Sequence, residues 1–386
     1  MQTVDAPAPA PAGPAAAPRP PRRTFVVYMG HPAHFHLFRN PIAELQRRGH
    51  DVHVVIKSKD VLEKLLDGAG MAFHNLHPEP RPTGKVAVAR SLLLREYRFW
   101  KLARRLRPDL MVGTSAEVIH VGKLLGIPSV YLGEDDAQVV DRFARICFPF
   151  VDAIVAPESC SLGKWEHKTT HYPGYHKLAY LHPNRFTPER ARVAHLLNPA
   201  GPTFLVRVVE LNAHHDDGIR GFTPQILRGV MSLLASRGRV HLSAEGALPA
   251  DLEPYRLRMD PLDVHHLMYH CDLVVGDGQS MIVEAAMLGT PSVRFNDFVG
   301  RIGVLDELEH RYRLTRGVPA DRPGELMEAI RELLELPEAR QEWQRRRAAM
   351  LADKSDVTAF YTWFLENYPA SREVVRQTPG YLERFR

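Results

Sequence analysis

The chain has 386 residues, 45% of them hydrophobic and 25% charged, with a formal net charge of +5 at pH 7. That length exceeds one ordinary core and predicts two domains of a soluble, globular protein. The positive excess comes from scattered arginines, and with no RNP aromatic motif or zinc finger beside it, nucleic acid is not an expected partner. The three cysteines, Cys147, Cys160 and Cys271, form no CxxC pair and no disulfide framework, which points to a reducing cytoplasm.

Residues 1–23 are rich in Ala and Pro and end in Arg22-Arg23. Their charge follows the small residues instead of preceding an apolar run, so a disordered, polyproline-like tail is expected and not a signal peptide. No run of about 18 apolar residues occurs anywhere, so no membrane span is expected.

From Thr24, strand and helix signals alternate. Strands are predicted at Phe25 to Met29, Val52 to Ile56, Met71 to Leu76, Asp109 to Gly113, Ser129 to Leu132 and Ala153 to Val155. Between them fall helices at Phe38 to Arg48 (ended by Gly49), Asp60 to Asp67, Val88 to Leu106 and a stretch reaching Leu125. Strict alternation predicts an α/β fold with a parallel, doubly wound sheet and ligand loops at the carboxyl ends of its strands. Pro173, Gly174, Pro183, Pro188 and Pro202 break the rhythm and mark an interdomain region. A second alternating series runs from Thr203 through Val240 to Ser243, Tyr255 to Met259, Leu273 to Val275 and Ser292 to Phe295. The expected division is a first domain over 24–180, a linker over 181–202, a second domain over 203–355, and helices over 356–386 that cross back to the first.

The most informative stretch is Val274-Val275-Gly276-Asp277-Gly278-Gln279-Ser280-Met281-Ile282-Val283-Glu284. A β-branched apolar run enters a Gly-Asp-Gly-Gln loop, and an apolar period of three to four begins at Ser280, so strand gives way to helix. The first turn of such a helix has unpaired N–H groups and about half a positive charge, which suits a diphosphate. Glu284 falls one turn in, where a carboxylate could accept two ribose hydroxyls. The alternative is an ordinary α/β loop with Glu284 as an exposed helix residue.

The order of Asp260-Pro261-Leu262-Asp263, Asp272-Leu273-Val274-Val275, Asp277-Gly278, Glu284-Ala285-Ala286 and Leu288-Gly289-Thr290-Pro291 resembles the nucleotide-binding half of UDP-N-acetylglucosamine 2-epimerases. It also resembles the transferase that adds N-acetylglucosamine to lipid-linked muramyl peptide. Both have the GT-B fold, two Rossmann-like domains facing a central cleft. Where those enzymes have Ser-Gly-Gly or Ser-Gly-Ala, this chain has Gly278-Gln279-Ser280. From Phe25 to about Thr315 it is similar to a bacterial and archaeal GT-B-like family, domain of unknown function 354, often found among polysaccharide genes. The matching motifs include Gly30-His31-Pro32-Ala33-His34-Phe35-His36, Glu134-Asp135-Asp136, Tyr172-Pro173-Gly174, Tyr180-Leu181-His182-Pro183, Asn212-Ala213-His214-His215-Asp216 and Ser243-Ala244-Glu245-Gly246.

This resemblance implies a nucleotide-sugar donor in the second half and a saccharide or lipid-linked acceptor in the first. Met259 and Pro261 would flank the base, Gly278, Gln279, Ser280 and Met281 would give N–H groups to the diphosphate, and Glu284 would take the ribose. Arg207, Asp216 and Glu245 complete the expected donor site, and His214 or His215 would stabilise the leaving group. In the first half, His34 or His36 and the acidic pair Glu134 and Asp135 are the candidates for acid/base work, one of a crowded acidic trio having a raised pKa. Loop-capping imidazoles and a solvated acidic turn are the competing readings. Glu117 is a further candidate acid, explained equally well by helix N-terminal charge preference. His31, His34 and His36 would be the metal candidates, but no HExxH or CxxC accompanies them; no metal and no cofactor are expected.

The predicted helix 88–106 mixes Leu92, Leu93, Tyr97 and Trp100 with Arg95, Arg98, Lys101 and Arg104. It covers a sheet with a basic outer face or makes peripheral contact with the inner face of a membrane. The function read from all this is transfer of a sugar from a UDP-type donor in surface polysaccharide or glycolipid synthesis. The alternative is a nucleotide-sugar 2-epimerase or hydrolase, against which stands Glu210-Leu211-Asn212-Ala213-His214 in place of the Arg-Arg-Glu-Asn motif of the epimerases.

Overall fold

A computed structural model describes residues 21–57, 61–76, 85–209 and 220–386, without the side chains of 85–92 and 379. The Ala/Pro tail therefore lies, save for its last three residues, outside the described residues, and so do His214, His215 and Asp216. Seven strands form the first sheet: β1 Thr24–Met29, β2 Asp51–Ile56, β3 Phe73–Asn75, β4 Leu110–Gly113, β5 Ser129–Leu132, β6 Ala153–Pro157 and β7 Thr169–Tyr172. Five form the second: β8 Thr203–Val208, β9 Arg239–Ala244, β10 Leu273–Gly276, β11 Ser292–Phe295 and β12 Arg316–Val318. Their spatial orders are β3-β2-β1-β4-β5-β6-β7 and β12-β11-β10-β8-β9, and every pairing is parallel.

Parallel strands covered by helices on both faces are apolar throughout, and their side chains alternate between two cores. In β1, Phe25, Val27 and Met29 join one cluster and Val26 and Tyr28 another. In β8, Phe204, Val206 and Val208 pack with Leu227 and Val230, while Leu205 faces the opposite side. That opposite-side cluster runs without a break from Phe25 and Leu178 to Ile282, Val283 and Leu305, so the two sheets share one buried apolar seam.

Two sequence expectations give way. The Pro-rich stretch after Pro157 contains β7, which pairs with β6 as an edge strand, because its prolines fall beside the strand and leave its ladder donors intact. Tyr255 to Met259 is not a strand; Glu253–Tyr255 is a 3-10 turn and only Arg256 bridges to Leu242, since Pro254 withholds an N–H. The last helix segments return to the first sheet. Tyr361 donates to the Tyr172 hydroxyl at 2.8 Å, Arg23 donates to the carbonyl of Glu366 at 3.0 Å, and Arg48 reaches the Glu366 carboxylate at 2.6 Å.

Each sheet reverses strand order once, and a crevice opens outside the carboxyl ends of the strands at that point. In the first sheet the switch lies between β1 and β4, whose loops carry His31 and Thr114. In the second it lies between β8 and β10, whose loops begin at Val209 and Asp277.

Candidate active site

A cavity of about 280 Å³ lies where the two switch points meet. One wall holds His31, His34, Thr114, Glu134, Asp135, His176, Lys177 and Tyr180 from the first half. The other holds Gln279, Ser280 and Val283, at the start of the helix Ser280–Leu288, with Ile302, Val304 and Leu305. That helix has no side-chain cap and no acidic residue in its own first turn, so no side chain of that turn satisfies its leading N–H groups. Gly278 precedes it because β8 passes close by: a Cβ there would stand 2.9 Å from Val209 Cγ2.

Asp277, in the same loop, works on the backbone. Its carboxylate accepts from Val209 N at 2.8 Å and lies 3.5 Å from Phe222 N, so it grips both sides of the segment 210–219. Burial pushes its pKa up to about 6 against the pull of those N–H bonds. Arg207 is turned to Ser243 at 2.9 Å and paired with Glu245, beside the switch point and outside the cavity wall.

In the first half, the helix Pro32–Arg47 starts at the cavity. His31 is its N-cap, Nδ1 accepting from Ala33 N at 3.1 Å. His34 Nδ1 accepts from Gly30 N at 3.1 Å, which places the ring proton on Nε2, 2.9 Å from the Thr114 hydroxyl. His36 turns the other way. It is buried between Tyr180 and His265, with ring centroids at 5.3 and 4.8 Å, so the three histidines do not converge. Burial, then His265, lowers its pKa well below the ordinary 6.5. Among the described residues no group of His, Cys, Asp and Glu is placed to hold a metal ion.

The acidic trio splits three ways. Glu134 accepts from His176 N at 2.7 Å and is ion-paired to the buried Lys177; burial alone would raise its pKa, but Lys177 and His176 bring it below the ordinary carboxylate range. Asp136 accepts from Ser161 N at 2.7 Å and from Gly303 N at 2.8 Å, a tie across the halves. Asp135 lines the cavity, and burial, then the neighbouring Glu134, raises its pKa. Glu117, the further candidate acid, is buried under Tyr28 at 3.2 Å and Arg95 at 3.3 Å.

The cavity thus brings together His34, Glu134, Asp135, Gln279 and Ser280. Met259 and Met281 pack against the shared seam, and Pro261 opens the 3-10 turn Pro261–Asp263. Glu284 is behind the wall: it accepts from Tyr180 at 2.6 Å, lies 3.2 Å from His265 Nε2, and is only 6% exposed. Burial acts to raise its pKa, but His265, His36 and Tyr180 carry it down to about 2. Sequence reasoning missed His176, Lys177 and the role of Tyr180, which lie at the end of the expected first domain, where Pro173 and Gly174 break the alternation of strand and helix. The available signal was Lys177 within an otherwise apolar run, since a lysine in such a setting is paired.

Residues 251–301 match the model of the family described as "Protein of unknown function (DUF354)", a narrower span than the motif resemblance covers. No curated protein is similar to the chain in sequence. Among solved structures it is similar to the UDP-GlcNAc 2-epimerase of Neisseria meningitidis bound to UDP-GlcNAc (12% identity, TM-score 0.61, 89% of this chain and 100% of that one). It is similar also to the spinosyn rhamnosyltransferase SpnG complexed with spinosyn aglycone (16% identity, TM-score 0.58, 89% and 100%). The glycotransferase of kitacinnamycin matches at 15% identity and TM-score 0.58, over 90% and 100%. The chain therefore has the GT-B fold, the two-Rossmann architecture of the glycosyltransferases and UDP-N-acetylglucosamine 2-epimerases it is similar to, with a segment over 251–301 that matches the DUF354 model.

Proposed function

We propose that this protein is a glycosyltransferase that moves a sugar from a nucleoside diphosphate donor, a UDP-sugar by preference, to a saccharide or lipid-linked acceptor of surface polysaccharide or glycolipid synthesis. The observation that carries the proposal is the cavity, with the uncapped start of the helix Ser280–Leu288 on one wall and Asp135 with His34 on the other. The donor diphosphate lies against the helix start, where leading amides and the dipole meet its charge. An acceptor hydroxyl enters from the side of the first half and loses its proton to Asp135, whose raised pKa makes it a stronger base than the neighbouring Glu134. The new C1–O bond forms as the bond from C1 to the diphosphate breaks, and UDP leaves with the electron pair onto the helix amides. Lys177 and Glu134 neutralise each other and hold the wall beside Asp135. Neither metal nor cofactor is part of this reading.

The second reading is 2-epimerisation of the donor, supported by the two carboxylates on one cavity. Glu134 is spent on Lys177 and leaves Asp135 alone, which favours transfer. The deciding experiment incubates the protein with a panel of nucleotide sugars, with and without lysate acceptors, and reads products by mass spectrometry. Donor alone in deuterated water separates the readings: a transferase leaves C2 of the sugar unlabelled, and deuterium there would overturn transfer.

A further inference from the structure

Large apolar side chains exposed to solvent are concentrated on one face of the first half, away from both the cavity and the seam. Among the described residues, Leu93, Tyr97, Leu124, Ile146 and Phe150 are 67%, 58%, 76%, 54% and 46% exposed. They come from three elements: the helix Lys85–Leu106, the helix Ala116–Leu125, and the helix Asp141–Cys147 with the turn after it. Contacts join them into one patch. Tyr97 stacks on Trp100 at 6.0 Å, His120 lies 6.2 Å from the Phe150 ring and 2.9 Å from Glu96, and Leu93, Tyr97, Trp100, His120 and Leu124 line a common groove. A patch of this kind, with no covering element among the described residues, marks an interaction surface.

Charge indicates what covers it. Along the helix Lys85–Leu106 the positions Leu93, Tyr97, Trp100 and Arg104 follow one stripe at helical spacing, so the apolar face turns basic at its end. Arg104 lies over the Trp100 ring at 4.8 Å, and Lys101 on the same helix, Lys123 beside Leu124 and Arg142 one turn before Ile146 are exposed. Of the acids on these elements, Glu96 is hydrogen-bonded to His120 and Asp141 to Arg145. An apolar centre with Tyr and Trp and these cations beside it matches a layer that is apolar within and anionic at its surface. We infer that this face docks on an anionic phospholipid bilayer.

The docked orientation serves the proposed acceptor chemistry, on which this step alone rests. Thr114 lines the cavity, and the helix Ala116–Leu125 runs from there to Leu124, about 12 Å along its axis. A lipid-linked saccharide held in the same leaflet is then within a few sugar lengths of Asp135.

The test is flotation of the full chain with vesicles of phosphatidylcholine alone and of phosphatidylcholine with phosphatidylglycerol. Binding is expected only to the anionic vesicles, falling with added salt. The exposed triple substitution Leu93→Ser, Tyr97→Ser and Leu124→Ser, and separately the rim reversal Lys101→Glu with Arg104→Glu, should each weaken binding at least about tenfold while thermal unfolding stays unchanged. Wild-type protein that stays with neutral and anionic vesicles alike unbound, or variants that still float, would overturn the inference. So would a dimer in sedimentation velocity that the same substitutions dissociate, which would give the face to a second copy. UDP binding by these variants, measured by calorimetry, reports on the donor site separately, so loss of vesicle binding leaves the transferase reading standing.

Discussion

The Tyr180 hydroxyl donates to the Glu284 carboxylate at 2.6 Å, joining the first half of the molecule to the helix Ser280–Leu288 of the second. Tyr180 belongs to the cavity wall and Glu284 does not, so the tyrosine screens the carboxylate from anything in the cavity. A ribose reaches Glu284 only if this contact opens. Tyr180→Phe should lower the free energy of unfolding by about 1.5–3 kcal/mol, the value of a hydrogen bond to a charged group. The same change should leave UDP affinity equal or greater, because Glu284 loses a competitor. Glu284→Ala should weaken UDP binding by about 1–3 kcal/mol. Calorimetry on the two folded variants checks both; unchanged UDP affinity in Glu284→Ala would reduce the residue to an interdomain clasp.

His36 and His176 give the molecule an acid sensitivity whose sign follows from burial. Both are held neutral: His36 well below the ordinary 6.5, and His176 at about 4, chiefly through burial. A group whose folded pKa is depressed takes up a proton on unfolding as pH falls, so for His176 the stabilisation is full above about pH 6.5 and is lost between 6.5 and 4, and His36 acts in the same direction below 6.5. Glu284 adds a second loss from 4.5 toward about 2. Urea unfolding should show stability falling by roughly 3 kcal/mol from His176 alone across the first window, and His176→Gln, which cannot charge, should reduce that slope. A parallel slope in the variant would remove His176 from the account.

Gly303 of the second half packs against the Ser159 backbone and the Asp136 carboxylate of the first. A Cβ at Gly303 would fall 1.9 Å from the Ser159 carbonyl oxygen, and the Gly303 N–H is held by Asp136 at 2.8 Å. Backbone on both sides leaves nothing flexible to yield, so Gly303→Ala should separate or unfold the halves. Asp136→Ala, which strands the N–H groups of Ser161 and Gly303, should cost about 2–4 kcal/mol. Small-angle scattering and thermal unfolding check the pair; a Gly303→Ala protein with wild-type Tm and dimensions would count against a closed seam.

The strands of the second half were largely readable, because β-branched runs such as Leu273–Gly276 between polar loops have one structural solution in an alternating α/β chain. The strand, loop and helix order at Gly276 to Ser280 was equally plain, since the Gly-Asp-Gly-Gln passage into an uncapped helix is a local feature. What could not be read was the pairing across the cleft. Local signals put Glu284 one turn into a helix but contain nothing about Tyr180, which lies 104 positions away and meets it only after both sheets have folded. The same holds for the acidic trio: Glu134, Asp135 and Asp136 are neighbours in sequence with three different partners in space, Lys177, the cavity and Gly303. Lys177 and the edge strand β7 were hidden because Pro173 and Gly174 break the alternation there and read as the onset of an interdomain region.

Metal independence is expected from the distribution of charge. The helix start at Gln279 and Ser280 is fixed in the cavity wall, and the imidazoles of His31 and His34 are turned to Ala33, Gly30 and Thr114. Turnover and UDP affinity should therefore persist in excess chelator. Activity that disappears with chelator and returns with one particular divalent ion would move the leaving-group charge from the helix to a metal.

The sharpest prediction concerns Asp135. Of the three adjacent acids it alone faces the cavity without an ion-pair partner that holds it low, and burial with the neighbouring Glu134 raises its pKa. As the base it must be ionised, so kcat/KM should rise with pH through that elevated pKa and reach a plateau above it. Asp135→Asn keeps the shape and the hydrogen-bonding reach but cannot take a proton. It should cut kcat by about 100-fold to 10,000-fold with UDP affinity almost unchanged, because the donor is held by the other wall. His34→Ala, which removes a neighbour fixed by Gly30 and Thr114, should leave the acidic limb of the pH profile in place. If instead Asp135→Asn retains full turnover and His34→Ala abolishes it together with that limb, proton removal belongs to the imidazole at the head of the helix Pro32–Arg47.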